Sequence, residues 1–200
     1  TTLFRSGHTY IGGISGIISC GIITNCSNSN NTITGIAGGG ICGVCILSDV
    51  CSCSNYGTIT CQNINECGGI CGGALSGRIS YCHNQGVFSE KVTGGGIVGW
   101  GAVFYYSIIS EDQYFLSMQQ SQLKYYYQTA AYKNSHNSNA LIINCYNSSN
   151  SSIPIVNGNK NNRYGSYKAI NNYYLCESNN QKEGEDGITP QSEENMRKLE

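Results

Sequence analysis

Four Gly-Gly-Ile triplets, beginning at Gly12, Gly39, Gly68 and Gly95, mark the chain at intervals of 27, 29 and 27 residues. Each of the first three leads at one fixed distance to a cysteine: Gly12 to Cys26, Gly39 to Cys53 and Gly68 to Cys82. A repeat of this length is a unit that buries its apolar face only by stacking on its neighbours, which is the signature of a solenoid. The register therefore constrains the fold more tightly than any single motif.

Aligning the units on cysteine exposes columns. Three residues before the cysteines stand Ile23, Val50, Ile79 and, before Cys145, Ile142. Two residues after them stand Asn28, Asn55, Asn84 and Asn147. In a β-solenoid each such residue stacks on its equivalent one strand spacing away, about 4.8 Å. The asparagines then form a ladder whose amides bond along the axis and satisfy turn backbone groups, because Asn bonds local backbone and tolerates left-handed geometry. A ligand-reading surface is the competing reading of the same ladder.

Cys82 and Cys145 lie 63 residues apart, which is one period of 27 plus an excess of about 36. An insertion over about residues 103–140 accounts for the excess, with a short helix predicted where Leu116, Leu123 and Tyr127 share a face. One further period reaches Asn172, and the triplet slot of that fifth coil is predicted at Gly158. The fold class that follows is all-β, a right-handed parallel β-solenoid (β-helix) of four to five coils over residues 1–176. Its handedness follows the crossover preference of parallel strands. Each coil reads as three short strands. Triplet glycines supply either positive-φ turning or close backbone approach. Residues 177–200 read as a polar linker and a short C-terminal helix opened by Pro190.

Composition narrows the function. Charged residues make up 12% of the 200 and the net charge is −1, with no Lys, Arg, Asp or Glu between Arg5 and Asp49. Nucleic acid is excluded as a partner because its binding needs clustered cations to displace phosphate counterions. The longest apolar run, residues 11–23, is broken by Gly and Ser and is too short to span a bilayer. No leader precedes the repeats, so a signal peptide is absent or lies upstream of Thr1.

Twelve cysteines invite a disulfide or metal reading. Yet Cys26, Cys53, Cys82 and Cys145 share a column, and Cys42 and Cys71 share another with Ser15 and Val98. Interchange with Ser and Val marks small inward packing residues. Cys20, Cys45, Cys51, Cys61, Cys67 and Cys176 share no column and are the candidates for one or two disulfides. A zinc site from Cys42, Cys45, Cys51 and Cys53 has tolerable spacing, but two of its members already belong to columns. No metal or other cofactor is expected. His83 stands in the slot of Ser27, Ser54 and Tyr146 and is expected to face solvent. Asp49, Glu66, Glu90, Glu111 and Asp112 occupy different registers, so they assemble no acid–base pair of the kind glycoside cleavage needs. The chain reads as a non-enzyme.

Gly95-Gly96-Ile97-Val98-Gly99 and Ile143-Asn144-Cys145-Tyr146-Asn147, with Gly57 and Gly86 in the glycine slot that follows, resemble the GLUG-type repeat family over roughly residues 11–174. The resemblance implies a β-solenoid in a large secreted or surface-attached protein, of the kind found beside adhesin modules and in the non-catalytic part of IgA-protease-like enzymes. The expected function is a non-catalytic extracellular or cell-surface module, a rigid stalk or adhesive surface. Its partner is a host protein or glycan, or neighbouring repeats, and recognition falls on the insertion at Tyr125, Tyr126 and Tyr127. The alternative is a non-catalytic repeat region of a large secreted protease or carbohydrate-active enzyme. An ice-binding face is a further alternative, from Thr32, Thr34, Thr58 and Thr60, but the third unit carries Val87 and Ser89 there. Sequons at Asn25, Asn30, Asn147 and Asn150 matter only in a eukaryotic secretory pathway.

Overall fold

The computed structural model describes residues 4–6, 10–62, 66–89, 92, 94–102, 140–151, 153, 155–156, 167–175, 187–196 and 198. The expected insertion, with its helix and with Tyr125, Tyr126 and Tyr127, lies outside the described residues, as does Cys176. What is described is a parallel β-solenoid of about four turns, carrying one short helix α1 (Glu193–Met196).

The first three coils are each cut into five strands rather than the three predicted, so five parallel sheets run along the axis. Sheet I holds β1 (Phe4–Ser6), β6 (Thr32–Thr34), β11 (Thr58–Ile59) and β16 (Val87–Phe88). Sheet II holds β2 (Tyr10–Gly12), β7 (Ala37–Gly39) and β12 (Cys67–Gly68). Sheet III holds β3 (Ser15–Ser19), β8 (Cys42–Ile46), β13 (Cys71–Leu75) and β17 (Val98–Ala102). Sheet IV stacks β4 (Ile22–Thr24), β9 (Asp49–Cys51), β14 (Arg78–Ser80), β18 (Ala140–Ile143) and β20 (Tyr167–Ile170). Sheet V adds β5 (Ser27–Asn28), β10 (Ser54–Asn55), β15 (His83–Asn84), β19 (Tyr146–Asn147), β21 (Asn172–Leu175) and β22 (Ile188–Gln191).

Single left-handed residues make the extra corners. Between sheets III and IV they are Cys20, Leu47 and Ser76, with φ of 51°, 46° and 46°. Between sheets IV and V they are Asn25, Ser52, Tyr81, Asn144 and Asn171, with φ from 51° to 54°. A left-handed non-glycine residue costs about 1–2 kcal/mol, and the strands on both sides hold it there. The triplet glycines carry no positive φ. Their use is close approach: a Cβ on Gly40 would collide with the Asn55 amide, and one on Gly69 would collide with the Asn84 amide and the Gly96 carbonyl. The glycine column and the asparagine column therefore exist because of each other.

The core is a set of stacked columns. Ile23, Val50, Ile79, Ile142 and Ala169 are register partners through sheet IV. Ile41, Ile70, Ile97 and Ile155 are fully buried and joined by N–H···O=C bonds of 2.9–3.0 Å between successive coils. Burial of each such side chain contributes about 2 kcal/mol. Ile33 and Ile59 line the inside of sheet I, with Phe88 as their next partner.

The last coil departs from the predicted spacing. Gly95 bridges Ile153 and Val98 bridges Val156, so the triplet slot of the fifth coil falls five residues before Gly158. The shortening has a visible cause, since a side chain replaces a strand. Phe88 N–H donates to Asn150 Oδ1 at 2.8 Å and Asn150 Nδ2 donates to Phe88 O at 3.0 Å, closing sheet I with one amide. Pro190 also differs from expectation: it sits inside β22 opposite Tyr174 rather than opening the helix. Proline is tolerated in a terminal strand because its missing N–H breaks no inner ladder. The helix follows with Met196 buried against β21.

Candidate functional site

The residues singled out by the sequence converge at one corner, where sheet IV turns into sheet V. Each of the first four coils there presents an apolar column residue, a left-handed corner residue, the cysteine, one outward-slot residue and the asparagine. Alternation of the strand then sends Asn28, Asn55, Asn84 and Asn147 inward, and their exposure is 1% for the first and 0% for the rest.

The four amides form one continuous chain of hydrogen bonds. Asn28 Nδ2 donates to Asn55 Oδ1 at 2.8 Å, Asn55 Nδ2 to Asn84 Oδ1 at 2.9 Å and Asn84 Nδ2 to Asn147 Oδ1 at 3.0 Å. Asn147 Nδ2 ends the run on Ser151 Oγ at 3.0 Å. Each oxygen also accepts a turn N–H, from Asn31, Gly57, Gly86 and Ser149 respectively. Asn84 adds a second donated bond to Gly96 O at 2.8 Å, so all four bonding positions of its amide are used. A buried amide so satisfied stabilises the fold; stripped of partners it would cost several kcal/mol.

The cysteine column works on the same axis with weaker donors. Cys53 Sγ lies 3.8 Å from Ile23 O, Cys82 Sγ 3.5 Å from Val50 O and Cys145 Sγ 3.6 Å from Ile79 O, each reaching the preceding coil. Each also lies 3.2–3.3 Å from the carbonyl two residues before it. Cys53, Cys82 and Cys145 are fully buried, whereas Cys26 in the first coil is half-buried. The Cys82 thiol is raised well above its ordinary range, first by the Cys145 thiol, with its own burial adding to the rise. The Cys53 thiol is raised by Cys82 and by burial. These groups stay neutral donors.

Other candidates are dispersed or differently placed. All eleven described cysteines are free thiols. Cys42 and Cys45 lie in β8, where each bonds a nearby carbonyl, and among the described residues no three His, Cys, Asp or Glu side chains group around a point that would hold a metal. Asp49 spends its carboxylate on Arg78 of the next coil at the surface. Thr34 and Thr60 hydroxyls meet at 2.8 Å, and Val87 interrupts the neighbouring Thr32–Thr58 pair at the next rung. Of the sequons, Asn25 and Asn30 are exposed and Asn147 is locked in the ladder.

His83 corrects an expectation. It is 6% exposed rather than solvent-facing. Its ring stacks on Tyr146 with centroids 3.7 Å apart and meets the edge of Tyr56 at 5.9 Å, while Nε2 lies 3.4 Å from Ser148 Oγ. Desolvation lowers its pKa from 6.5 to about 4, so the ring is neutral at physiological pH. The sequence already aligned His83 with Tyr146, and what it missed is that the two rings stack on each other and so cover the imidazole.

Comparisons of the chain with protein-family models, with curated proteins and with solved structures find no match. Among the described residues no helix is long and apolar enough to cross a membrane.

Proposed function

We propose that this chain is a rigid, non-catalytic repeat module of a secreted or surface-attached protein. One observation carries the reading: the columns that run through four coils, of Ile, Cys, Asn and Gly, are used inside the solenoid. The outward column of sheet IV by contrast runs Ile22, Asp49, Arg78, Leu141 and Lys168, with no repeated chemistry. A ladder of saturated buried amides resists bending and sliding of one coil on another, which suits a stalk. The resemblance of the Gly-Gly-Ile-Val-Gly and Asn-Cys-Tyr-Asn elements to GLUG-type repeats points the same way. Recognition of a host protein or glycan then falls on the segment carrying Tyr125, Tyr126 and Tyr127, where the register is interrupted.

Antibodies raised against the folded module test the placement. They are expected to label intact, unpermeabilised cells or the culture medium; labelling confined to permeabilised cells contradicts it. Deleting residues 114–139 is then expected to abolish adhesion while leaving the far-ultraviolet circular dichroism of the solenoid intact.

A further inference from the structure

The described thiols touch one another in two distinct ways. Within the columns the contacts run from coil to coil. Cys42 and Cys71 are register partners in β8 and β13, and Cys53, Cys82 and Cys145 succeed one another along the corner. Side chains of register partners in parallel strands leave the backbone side by side, near the strand spacing of about 4.8 Å. That spacing lies within the Cα range of a disulfide but just above its preferred Cβ separation of about 3.5–4.5 Å, so bonding such a pair would pull the two coils slightly closer. It would also break S–H···O=C contacts such as Cys42 to Val44 O at 3.2 Å and Cys71 to Gly73 O at 2.9 Å.

Cys61 and Cys67 meet within a single coil. Cys61 follows the end of sheet I, and Cys67 opens β12 in sheet II opposite Gly38. Both are buried, at 4% and 0% exposure, in a small cluster with Ile59, Phe88 and Val92 that is separate from the main core. Joining them bonds residues of a single coil and spares both interior ladders.

We propose that Cys61 and Cys67 are the oxidation site of this chain, closing an intracoil disulfide by exchange with a low-molecular-weight or protein disulfide. One cysteine, as thiolate, attacks a sulfur of the oxidant; a mixed disulfide forms and one thiol of the oxidant leaves. The second cysteine, as thiolate, then attacks the protein sulfur of that mixed disulfide and expels the other thiol. Two electrons pass from the cysteine pair to the oxidant, which is reduced to two thiols carrying the two protons. The neighbouring Cys61 thiol, and then burial, hold the Cys67 thiol well above its ordinary range. Exchange therefore waits on local opening of that corner, and sustained rather than transient oxidation closes the bond.

The test uses the full chain, purified reduced and equilibrated with glutathione buffers of increasing disulfide fraction. Samples are acid-quenched, alkylated in denaturant and mapped by mass spectrometry. The first protein disulfide to appear is expected to link Cys61 to Cys67, with two fewer alkylated sites than the 12 cysteines of the sequence. Cys61→Ser is expected to lose that link, while Cys82→Ser retains it. A first link between column cysteines, a scrambled mixture, or a fully reduced map in the most oxidising buffer overturns the proposal. The wild-type map decides the matter even where a variant does not fold.

Discussion

In the third coil the corner residue Tyr81 is followed by Cys82 and Asn84, whereas in the fifth Asn171 is followed by Asn172 and Tyr174, and all four inward side chains are fully buried. The fifth coil has shifted its amide two positions, into the cysteine column. There Asn172 Nδ2 donates to Ile142 O at 2.9 Å, continuing the acceptor series Ile23, Val50 and Ile79 that the thiols reach at 3.5–3.8 Å. Its Oδ1 accepts Cys145 N–H at 3.0 Å, and Nδ2 also lies 3.3 Å from Gly187 O. Tyr174 fills the ladder position with ring volume. The corner therefore demands an inward donor to the previous coil and a filled interior, and an amide supplies the donor better than a thiol.

Breaking the third coil is expected to give the largest effect. Asn84→Leu strips partners from Gly86 N–H, Gly96 O and the amides of Asn55 and Asn147. Urea unfolding is expected to show a loss of about 3–5 kcal/mol, since each buried group left unpaired costs about 1–3 kcal/mol. A loss below about 1 kcal/mol would mean that the ladder is ornamental.

The outward slot of the two coils differs as well, His83 in the third and Tyr173 in the fifth. His83 is a base whose folded pKa, about 4, lies below its unfolded value of 6.5, so the unfolded chain binds the proton first as pH falls. Stability is then full above about pH 6.5 and is lost progressively down to about pH 4, by roughly 2 kcal/mol once residual solvent contact of the ring is discounted. Making the third coil resemble its successors with His83→Tyr is expected to flatten the stability profile across that window. An unchanged slope assigns the titration to other groups.

Installing the regular residue in the irregular coil sharpens the comparison further. Asn172→Cys is expected to cost about 1–2 kcal/mol through loss of the bond to Cys145 N–H, visible as a lowered melting midpoint. Ser52→Gly should act in the opposite sense. Its φ of 52° and exposed side chain mean that glycine relieves backbone strain without removing a core contact, for a gain of up to about 1 kcal/mol.

The contrast also explains what was legible in the sequence. The Ile, Cys and Asn columns could be read because one residue type recurs wherever one chemistry recurs. The five-sided cross-section was legible only in part, since Asn25, Asn144 and Asn171 carry turn chemistry at one corner whereas Cys20, Leu47, Ser52, Ser76 and Tyr81 do not. The triplet glycines suggested either turning or close approach, and only the position of the Asn55 and Asn84 amides two sheets away selects the second. Placing the fifth triplet at Gly158 failed because Asn150 does the work of a strand with one side chain. His83 was misjudged because its cover comes from Tyr56 in the preceding coil and Tyr146 in the following one.

The buried amides hold the coils in register. In a nitrogen-15 spectrum of the protein transferred to deuterium oxide, the side-chain NH2 pairs of Asn55 and Asn84 are expected to persist long after those of exposed asparagines such as Asn25 and Asn30 have vanished, decaying only with opening of the coils. Loss of the Asn55 and Asn84 signals as fast as the exposed ones would contradict a hydrogen-bonded ladder as the element that holds the coils in register.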